Sequence, residues 1–224
     1  MLAALDEAAG KVVERIQAAG LEENTLIIFF SDNGGPTMLG TTTNGSRNDP
    51  LRGSKRTTLE GGVRVPFVLS WKGTLSAGKV YEQPIIQLDI LPTALAAAGV
   101  ETKAEWKLDG VNLLPHLTGK SEQAPHDALY WRLGEQAAIR RGDWKLVRYD
   151  QTVDIAGARS DARSGPPVTP FRLYNLAKDI GETQDLSTEN PDKAKELRAA
   201  WEDWSRQLAR PLWGPGSLAV PAAN

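Results

Sequence analysis

The sequence predicts an α/β core at residues 1–125, a small antiparallel α+β subdomain at residues 126–210 and a tail at residues 211–224. Residues 25–30, which are apolar from Leu26 onward, are typical of a strand in a parallel sheet that helices cover on both faces. After the core, short strand-like segments precede a single amphipathic helix, and this order indicates an antiparallel sheet with one helix. The fold class is therefore α/β with an appended α+β subdomain.

The first elements of the core follow from local spacing. Apolar residues recur at helical spacing over residues 2–18, and the apolar strand at residues 25–30 comes next. Residues 65–71 predict another strand, and residues 89–98 predict a second helix. One helix and one buried strand cannot form a doubly covered sheet by themselves. We therefore expect this chain to be a piece of a larger fold.

The subdomain is predicted from turns and caps. Its strand-like segments are residues 128–132, 137–141, 144–149 and 171–176. Gly142-Asp143 predicts a hairpin between the middle two. Asn190 suits an N-cap with Pro191 at the first helical position. Trp201 and Trp204 fall on one face of that helix, so we expect both in the core.

The bulk composition excludes several classes of protein. The 224 residues are 41% hydrophobic and 24% charged, as in ordinary globular chains. The 26 Lys and Arg residues nearly balance the 28 Asp and Glu residues, which argues against a nucleic-acid partner. The absence of Cys excludes disulfides, thiolate metal sites and a Cys nucleophile. No apolar run approaches the ~20 residues of a membrane span.

Polar residues follow the first predicted strand directly. Asp32 and Asn33 precede Gly34 and Gly35 at the carboxyl end of that strand, where ligands bind in open α/β sheets. The two side chains offer hard oxygen donors of the kind that Ca²⁺ or Mg²⁺ prefers. Because Asn-Gly is also a strong turn signal, these residues alone leave a metal site and a simple turn equally open.

A long loop rich in Gly, Thr, Asn and Ser occupies residues 34–62. Loops of this length are usually functional or disordered. Arg52, Lys55 and Arg56 lie close together within it. They form either a solvated basic patch or an anion site beside the possible metal site.

Several motifs follow one another in a fixed order. They are Ser31-Asp32-Asn33-Gly34-Gly35, Leu51-Arg52-Gly53-Ser54-Lys55, Glu60-Gly61-Gly62-Val63-Arg64-Val65-Pro66, Leu88-Asp89-Ile90-Leu91-Pro92-Thr93, Asp109-Gly110-Val111-Asn112-Leu113-Leu114-Pro115 and Leu173-Tyr174-Asn175-Leu176. In this order they resemble the C-terminal half of a sulfatase of the alkaline-phosphatase-like superfamily. The resemblance covers roughly residues 1–208. It implies that the first domain is the end portion of an alkaline-phosphatase-like α/β core.

The resemblance also implies a mechanism and residue roles. Family members bind Ca²⁺, or sometimes Mg²⁺, together with a sulfate ester, and their nucleophile is a formylglycine hydrate. Asp32 and Asn33 resemble two of the metal ligands. Lys55 resembles the catalytic lysine that binds the substrate sulfate, and Arg52 is a second candidate for substrate binding. These residue types suit the chemistry, because a cation and an ammonium stabilise the negative charge on the sulfuryl oxygens.

Departures from the family pattern concern the nucleophile. The family motif is Cys/Ser-x-Pro-x-Arg, whereas Ser164 and Pro166 are followed by Val168 in place of Arg. The paired aspartates that complete the family's metal site are absent too. His116 and His126 match none of the family's histidines, and we expect both to be surface or cap residues. The formylglycine is therefore expected in a missing N-terminal part, and the isolated chain is expected to be inactive.

The expected partners are an aryl or carbohydrate sulfate ester, and either the missing N-terminal half or a second copy. Intact family members are commonly periplasmic, extracellular or lysosomal, while this sequence leaves location and leaving group open. One alternative is a non-catalytic module that binds anionic glycans. Its sugar platforms would be exposed tryptophans, namely Trp131, Trp144 and Trp213. A related phosphodiesterase or phosphonate hydrolase is the other alternative.

Overall fold

The computed structural model describes residues 1–38, 44–154 and 167–209. The chain divides into two compact units. Unit 1 comprises Met1–Phe30 and Pro66–His126, and unit 2 comprises Ser31–Val65 and Asp127–Asn224. The predicted division differs from this one because the glycine-rich segment groups with the C-terminal sheet.

Unit 1 combines helices with one strand pair. Its elements are helix α1 at Leu2–Ala18, strand β1 at Ile27–Phe30, strand β2 at Phe67–Ser70, helix α3 at Ile90–Ala97 and helix α4 at Leu114–Leu117. The intervening helix α2, at Glu60–Val63, belongs to unit 2. The predicted helices at residues 2–18 and 89–98 agree with α1 and α3. No helix in the described part of the chain has the length and apolarity that a membrane crossing requires.

The parallel partner predicted for the first strand is wrong. β1 pairs with β2 in antiparallel register, with Ile28 opposite Leu69. Phe29 and Phe30 remain 45% and 37% exposed. An uninterrupted apolar run fixes a strand, but it does not fix the direction of its partner or what lies against its faces.

Asp89 ties together two of the motifs in unit 1. Its fully buried carboxylate accepts hydrogen bonds from the backbone of Ile86 and of Val111, both at 2.9 Å. His126 Nε2 lies 2.9 Å from both oxygens of the same carboxylate. The expectation of a surface or cap residue is therefore wrong for His126, which is partly buried against Asp89. His116 lies in α4 and is half-buried, and its Nδ1 is 2.9 Å from the Gln123 backbone oxygen.

Unit 2 is built on an antiparallel sheet. Its strands are β3 at Leu129–Leu133, β4 at Gln136–Arg141, β5 at Trp144–Arg148 and β6 at Arg172–Asn175, in the spatial order β3-β4-β5-β6. Helix α2 spans Glu60–Val63, and helix α5 spans Pro191–Arg206. The predicted hairpin and single long helix are confirmed.

The two faces of this sheet bury different partners, because side chains alternate along each strand. One face packs against α5 through Ile139, Leu146, Leu173 and Leu197. The opposite face buries Val147, Tyr149 and Tyr174 against Leu59, which directly precedes α2. The second face therefore packs against the glycine-rich segment of unit 2, which is the described part of Ser31–Val65.

Four tryptophans of unit 2 pack around this core. Trp201 lies on α5 and packs against the hydrophobic cluster between α5 and the sheet. It donates its indole N–H to the Trp131 backbone oxygen at 3.0 Å. Trp204 stacks on Tyr130 with ring centroids 5.0 Å apart. Trp131 and Trp144 also pack against the two hydrophobic clusters. Their predicted role as exposed sugar platforms therefore lacks support, and Trp213 lies outside the described residues.

A glycine substitution tests the close packing between motifs in unit 1. A Cβ atom on Gly110 would lie 2.0 Å from the backbone oxygen of Leu88. We expect Gly110→Ala to lower the free energy of unfolding in urea by about 1–3 kcal/mol, because the backbone must shift. Gly10→Ala is the matched control, since nothing lies within 4 Å of its added methyl group, and α1 should gain about 1 kcal/mol. Equal stabilities of the two variants would contradict this packing.

Candidate functional site

Two glycine motifs meet at the end of β1. The Gly34 amide donates to the Gly62 backbone oxygen at 3.0 Å. A Cβ atom on Gly34 would lie 1.7 Å from the Gly61 backbone oxygen. Only glycine permits this approach, so the segment after β1 is pressed against the start of α2.

The backbone of Lys55 is hydrogen-bonded to the same segment after β1. The Lys55 amide donates to the Gly35 oxygen at 3.2 Å. Asn48 clamps Gly35 from the other direction, with its Oδ1 3.0 Å from the Gly35 nitrogen and its Nδ2 2.9 Å from the Gly35 oxygen. The described parts of the predicted loop at residues 34–62 are thus ordered by specific hydrogen bonds.

The polar side chains of this region are available for ligands. Asp32 and Lys55 are exposed, and neither side chain has a hydrogen bond or ion pair with residues that the structure describes. Asn33 Nδ2 donates to the Gly34 oxygen at 3.0 Å. This bond fixes the amide and leaves Asn33 Oδ1 as an acceptor. Asp32, Asn33 and Lys55 therefore converge on one segment through their backbones.

The donor set fits a hard cation in type but not in number. A carboxylate and an amide oxygen are ligands that Ca²⁺ and Mg²⁺ accept, and Ca²⁺ takes about six to eight oxygens. Within the described ranges, no group of three or more His, Cys, Asp or Glu side chains could hold a metal ion. Asp32 and Asn33 would form part of such a site.

Arg52 is engaged elsewhere. Its guanidinium donates to the Glu182 backbone oxygen at 2.6 Å and to the Tyr149 hydroxyl at 2.8 Å, and it pairs with Asp154. The guanidinium carbon also lies 5.0 Å from the centre of the Tyr149 ring. This geometry assigns Arg52 to holding the loop, so the expected substrate contact by Arg52 finds no support.

A buried charge cluster lies beneath the loop, and we call Glu60, Lys145 and Glu182 the buried triad. Lys145 Nζ donates to Glu60 Oε1 at 2.7 Å and lies 3.0 Å from Glu182 Oε1. Glu182 Oε2 accepts the Glu60 amide at 2.7 Å. The side chains are at most 2% exposed. Glu60 is thus a structural residue that ties α2 to the sheet.

Burial and the neighbouring charges shift the pKa of each member of the triad. Burial opposes the charge of Lys145, but Glu182 and Glu60 outweigh it and raise the pKa of Lys145. Burial likewise acts against the charge of Glu60, yet Lys145 and Arg140 lower the pKa of Glu60. Burial raises the pKa of Glu182. Glu182 is therefore the member that accepts a proton most readily. Arg64 and Arg140 lie 3.8 and 3.9 Å from Glu60 Oε2 and add positive charge.

Matches to known family models identify the family of this chain. The family model for the C-terminal domain of N-sulphoglucosamine sulphohydrolase matches residues 53–203, and the sulfatase model matches residues 1–100. The chain belongs to the sulfatase family.

Curated relatives match this sulfatase chain along most of its length. The chain is 32% identical to mouse N-acetylgalactosamine-6-sulfatase, over 82% of this chain and 38% of that protein. It is 37% identical to the uncharacterized sulfatase YdeN of Escherichia coli, over 93% of this chain and 40% of that protein. The chain thus spans about two fifths of the length of these curated relatives.

Solved structures agree with this assignment. The crystal structure of Ps i-CgsB in complex with k-i-k-neocarrahexaose has a TM-score of 0.76 at 31% identity, covering 95% of this chain and 43% of that one. The PsFucS1 sulfatase from Pseudoalteromonas has a TM-score of 0.68 at 26% identity, covering 90% and 40%. The predicted alkaline-phosphatase-like fold class is confirmed.

Sequence reasoning missed two members of the triad in this sulfatase chain. Lys145 alternates with Val147 and Tyr149 on the inward face of β5 and its continuation, so a lysine at an apolar position was the available signal. Glu182 follows a strand and a turn, and nothing in its local sequence indicates burial. Its partners become visible only in three dimensions.

Replacing Lys145 tests the energetic weight of the triad. We expect Lys145→Met to lower the free energy of unfolding by about 3–5 kcal/mol, since two buried carboxylates lose their shared cation. Urea denaturation followed by circular dichroism measures this loss. Lys193→Met is the matched control, because Lys193 pairs with Glu196 at the surface, where ion pairs contribute little. Similar small losses in both variants would contradict the assigned role of Lys145.

Proposed function

We propose that this chain supplies one side of the active site of a sulfuric ester hydrolase. Asp32 and Asn33 would hold a Ca²⁺ or Mg²⁺ ion through their side-chain oxygens, and Lys55 would bind the substrate sulfate. The observation that carries the proposal is the hydrogen bond from the Lys55 amide to the Gly35 oxygen at 3.2 Å. It brings the lysine backbone to the segment that bears both oxygen donors.

The residue types match the charge that develops during sulfuryl transfer. Hydrolysis of an ester R–O–SO₃⁻ spreads negative charge over the peripheral sulfate oxygens. The Lys55 ammonium is a compact point charge with three donors, suited to a tetrahedral anion. A bound divalent cation would supply Lewis acidity to a sulfate oxygen. Neither role requires the chain to move, because hydrogen bonds already fix the backbone around Gly35.

The nucleophile belongs to a different part of the proposed site. Family resemblance implies a formylglycine made from Cys or Ser in the motif Cys/Ser-x-Pro-x-Arg. These 224 residues contain no Cys, and Val168 occupies the Arg position after Ser164 and Pro166. We therefore propose activity for this chain only together with a polypeptide that carries the nucleophile.

The substrate class is a sulfate ester, and support for it comes from named relatives. Curated relatives include N-acetylgalactosamine-6-sulfatase and steryl-sulfatase, so carbohydrate and steryl leaving groups both fit the family. Trp131 and Trp144 pack against the hydrophobic clusters, which leaves the alternative of a non-catalytic glycan-binding module without two of its three predicted platforms. The named relatives are sulfatases, which favours sulfate over phosphate esters.

Sulfate binding by the chain tests the role of Lys55. We expect sodium sulfate to shift the amide NMR signals of residues 32–35 and 55 with millimolar affinity. Lys55→Ala should weaken this binding by about tenfold or more, because the ammonium is lost. Sodium chloride at equal ionic strength controls for screening, and Lys79→Ala controls for the loss of an exposed lysine elsewhere. Sulfate shifts that survive Lys55→Ala unchanged would refute the role.

Calcium binding tests the metal ligands separately. Two protein oxygens cannot replace most of the hydration shell of Ca²⁺, which prefers about six to eight ligands. We expect weak, millimolar binding that perturbs Asp32 and Asn33 and that Asp32→Ala removes. Isothermal calorimetry should detect no tight site, whereas submicromolar affinity would contradict a partial ligand set.

An aryl sulfate incubated with this chain alone should not be hydrolysed, and turnover abolished by Lys55→Ala would disprove the assignment of the nucleophile.

A further inference from the structure

Glu182 holds both ends of the segment that carries Lys55. Its backbone oxygen accepts the Arg52 guanidinium at 2.6 Å on the N-terminal side of Lys55. Its carboxylate accepts the Glu60 amide at 2.7 Å on the C-terminal side. Glu182 itself has a φ of 52°, a left-handed conformation that is uncommon for residues other than glycine. One unusual residue therefore fixes the two points between which Lys55 lies.

Lys145 offsets the repulsion between the carboxylates of Glu60 and Glu182. Its ammonium is fully buried and lies 2.7 Å from Glu60 and 3.0 Å from Glu182. Without it, two carboxylates would face each other in a medium of low dielectric constant. The remaining positive charges near the triad, Arg64 and Arg140, reach only Glu60 Oε2 at 3.8 and 3.9 Å. Lys145 is the one described cation that contacts both acids.

The backbone between the two anchors is also held to the sheet. The Arg56 backbone oxygen accepts the Gln136 side-chain amide at 2.8 Å. The Thr58 hydroxyl donates to the Arg148 oxygen at 3.2 Å. Lys55 is therefore an exposed side chain on a backbone fixed from both directions. Displacing the anchors would move the ammonium of Lys55 without touching it.

A purely stabilising role explains the triad poorly. Replacing a buried ion pair as a whole by apolar side chains is often neutral or stabilising, whereas removing one partner is strongly destabilising. What the triad provides is one defined geometry for the segment between Arg52 and Glu60. We propose that Glu182 and Lys145 are positioning residues for Lys55, an inference that rests on the proposed sulfate contact of Lys55.

Sulfate affinity of charge variants tests the inference. We expect Lys145→Met to weaken the Lys55-dependent binding of inorganic sulfate by about tenfold, because the two acids then push the anchor apart. The double variant Lys145→Met/Glu182→Gln should recover affinity to within about threefold of wild type, since the amide oxygen still accepts the Glu60 amide. Asp89→Asn is the matched control, because it breaks a buried polar cluster in unit 1. It should lose stability but keep its sulfate affinity.

The pH profile separates positioning from general damage. In Lys145→Met, lowering the pH from about 8 to about 5.5 should restore sulfate affinity, as a proton on one of the facing acids relieves their repulsion. Wild type should show no such recovery, because its triad is already compensated. A folded Lys145→Met variant with wild-type affinity at every pH would overturn the inference, as would a double variant that binds no better than Lys145→Met.

Amide exchange in the wild-type chain provides a test that needs no variant. If the anchors position Lys55, the amides of Lys55, Glu60 and Gly61 should open together, with protection factors equal within about threefold. A Lys55 amide that exchanges independently of Glu60 would overturn the inference even if the variants fail to fold. If sulfate binding in wild type proves independent of Lys55, the proposed function fails, while this exchange experiment still decides the positioning role.

Discussion

Unit 2 depends on one buried ammonium. Lys145 extends from the inward face of β5 and pairs with Glu60 at the start of α2 and with Glu182 after β6. Through these pairs, an otherwise irregular glycine-rich segment is fixed on the antiparallel sheet. Gly34, Gly35 and Lys55 make their hydrogen bonds within that same segment.

Several motif residues of this sulfatase-family chain have structural roles. Gly34 is required by the close approach of the Gly61 backbone, and Asp89 connects two backbone segments in unit 1. Arg52 is occupied by protein acceptors. After these roles are assigned, Asp32, Asn33 and Lys55 keep polar atoms available for ligands. The proposed chemistry is therefore concentrated in a few side chains that a much larger set of residues supports.

The sequence predicted what local patterns determine. Helical spacing identified α1, and turn and cap residues identified the hairpin and α5, because these signals act within a few residues. The direction of the strand pair β1–β2 was wrong, since an apolar run carries no information about its partner. Motif order identified the family and the candidate ligands. Long-range contacts, such as those of Arg52 with Glu182, could not be read from local spacing.

We propose that Lys55 and the Asp32–Asn33 oxygens form one side of a pocket for a divalent cation and a tetrahedral anion. A crystal structure of this chain soaked with calcium chloride and sodium selenate can test this pocket, because selenate mimics sulfate and scatters anomalously. We expect an anomalous selenium peak within hydrogen-bond distance of Lys55 Nζ, beside the side chains of Asp32 and Asn33. A selenate bound elsewhere, with the Lys55 ammonium directed away from those oxygens, would contradict it.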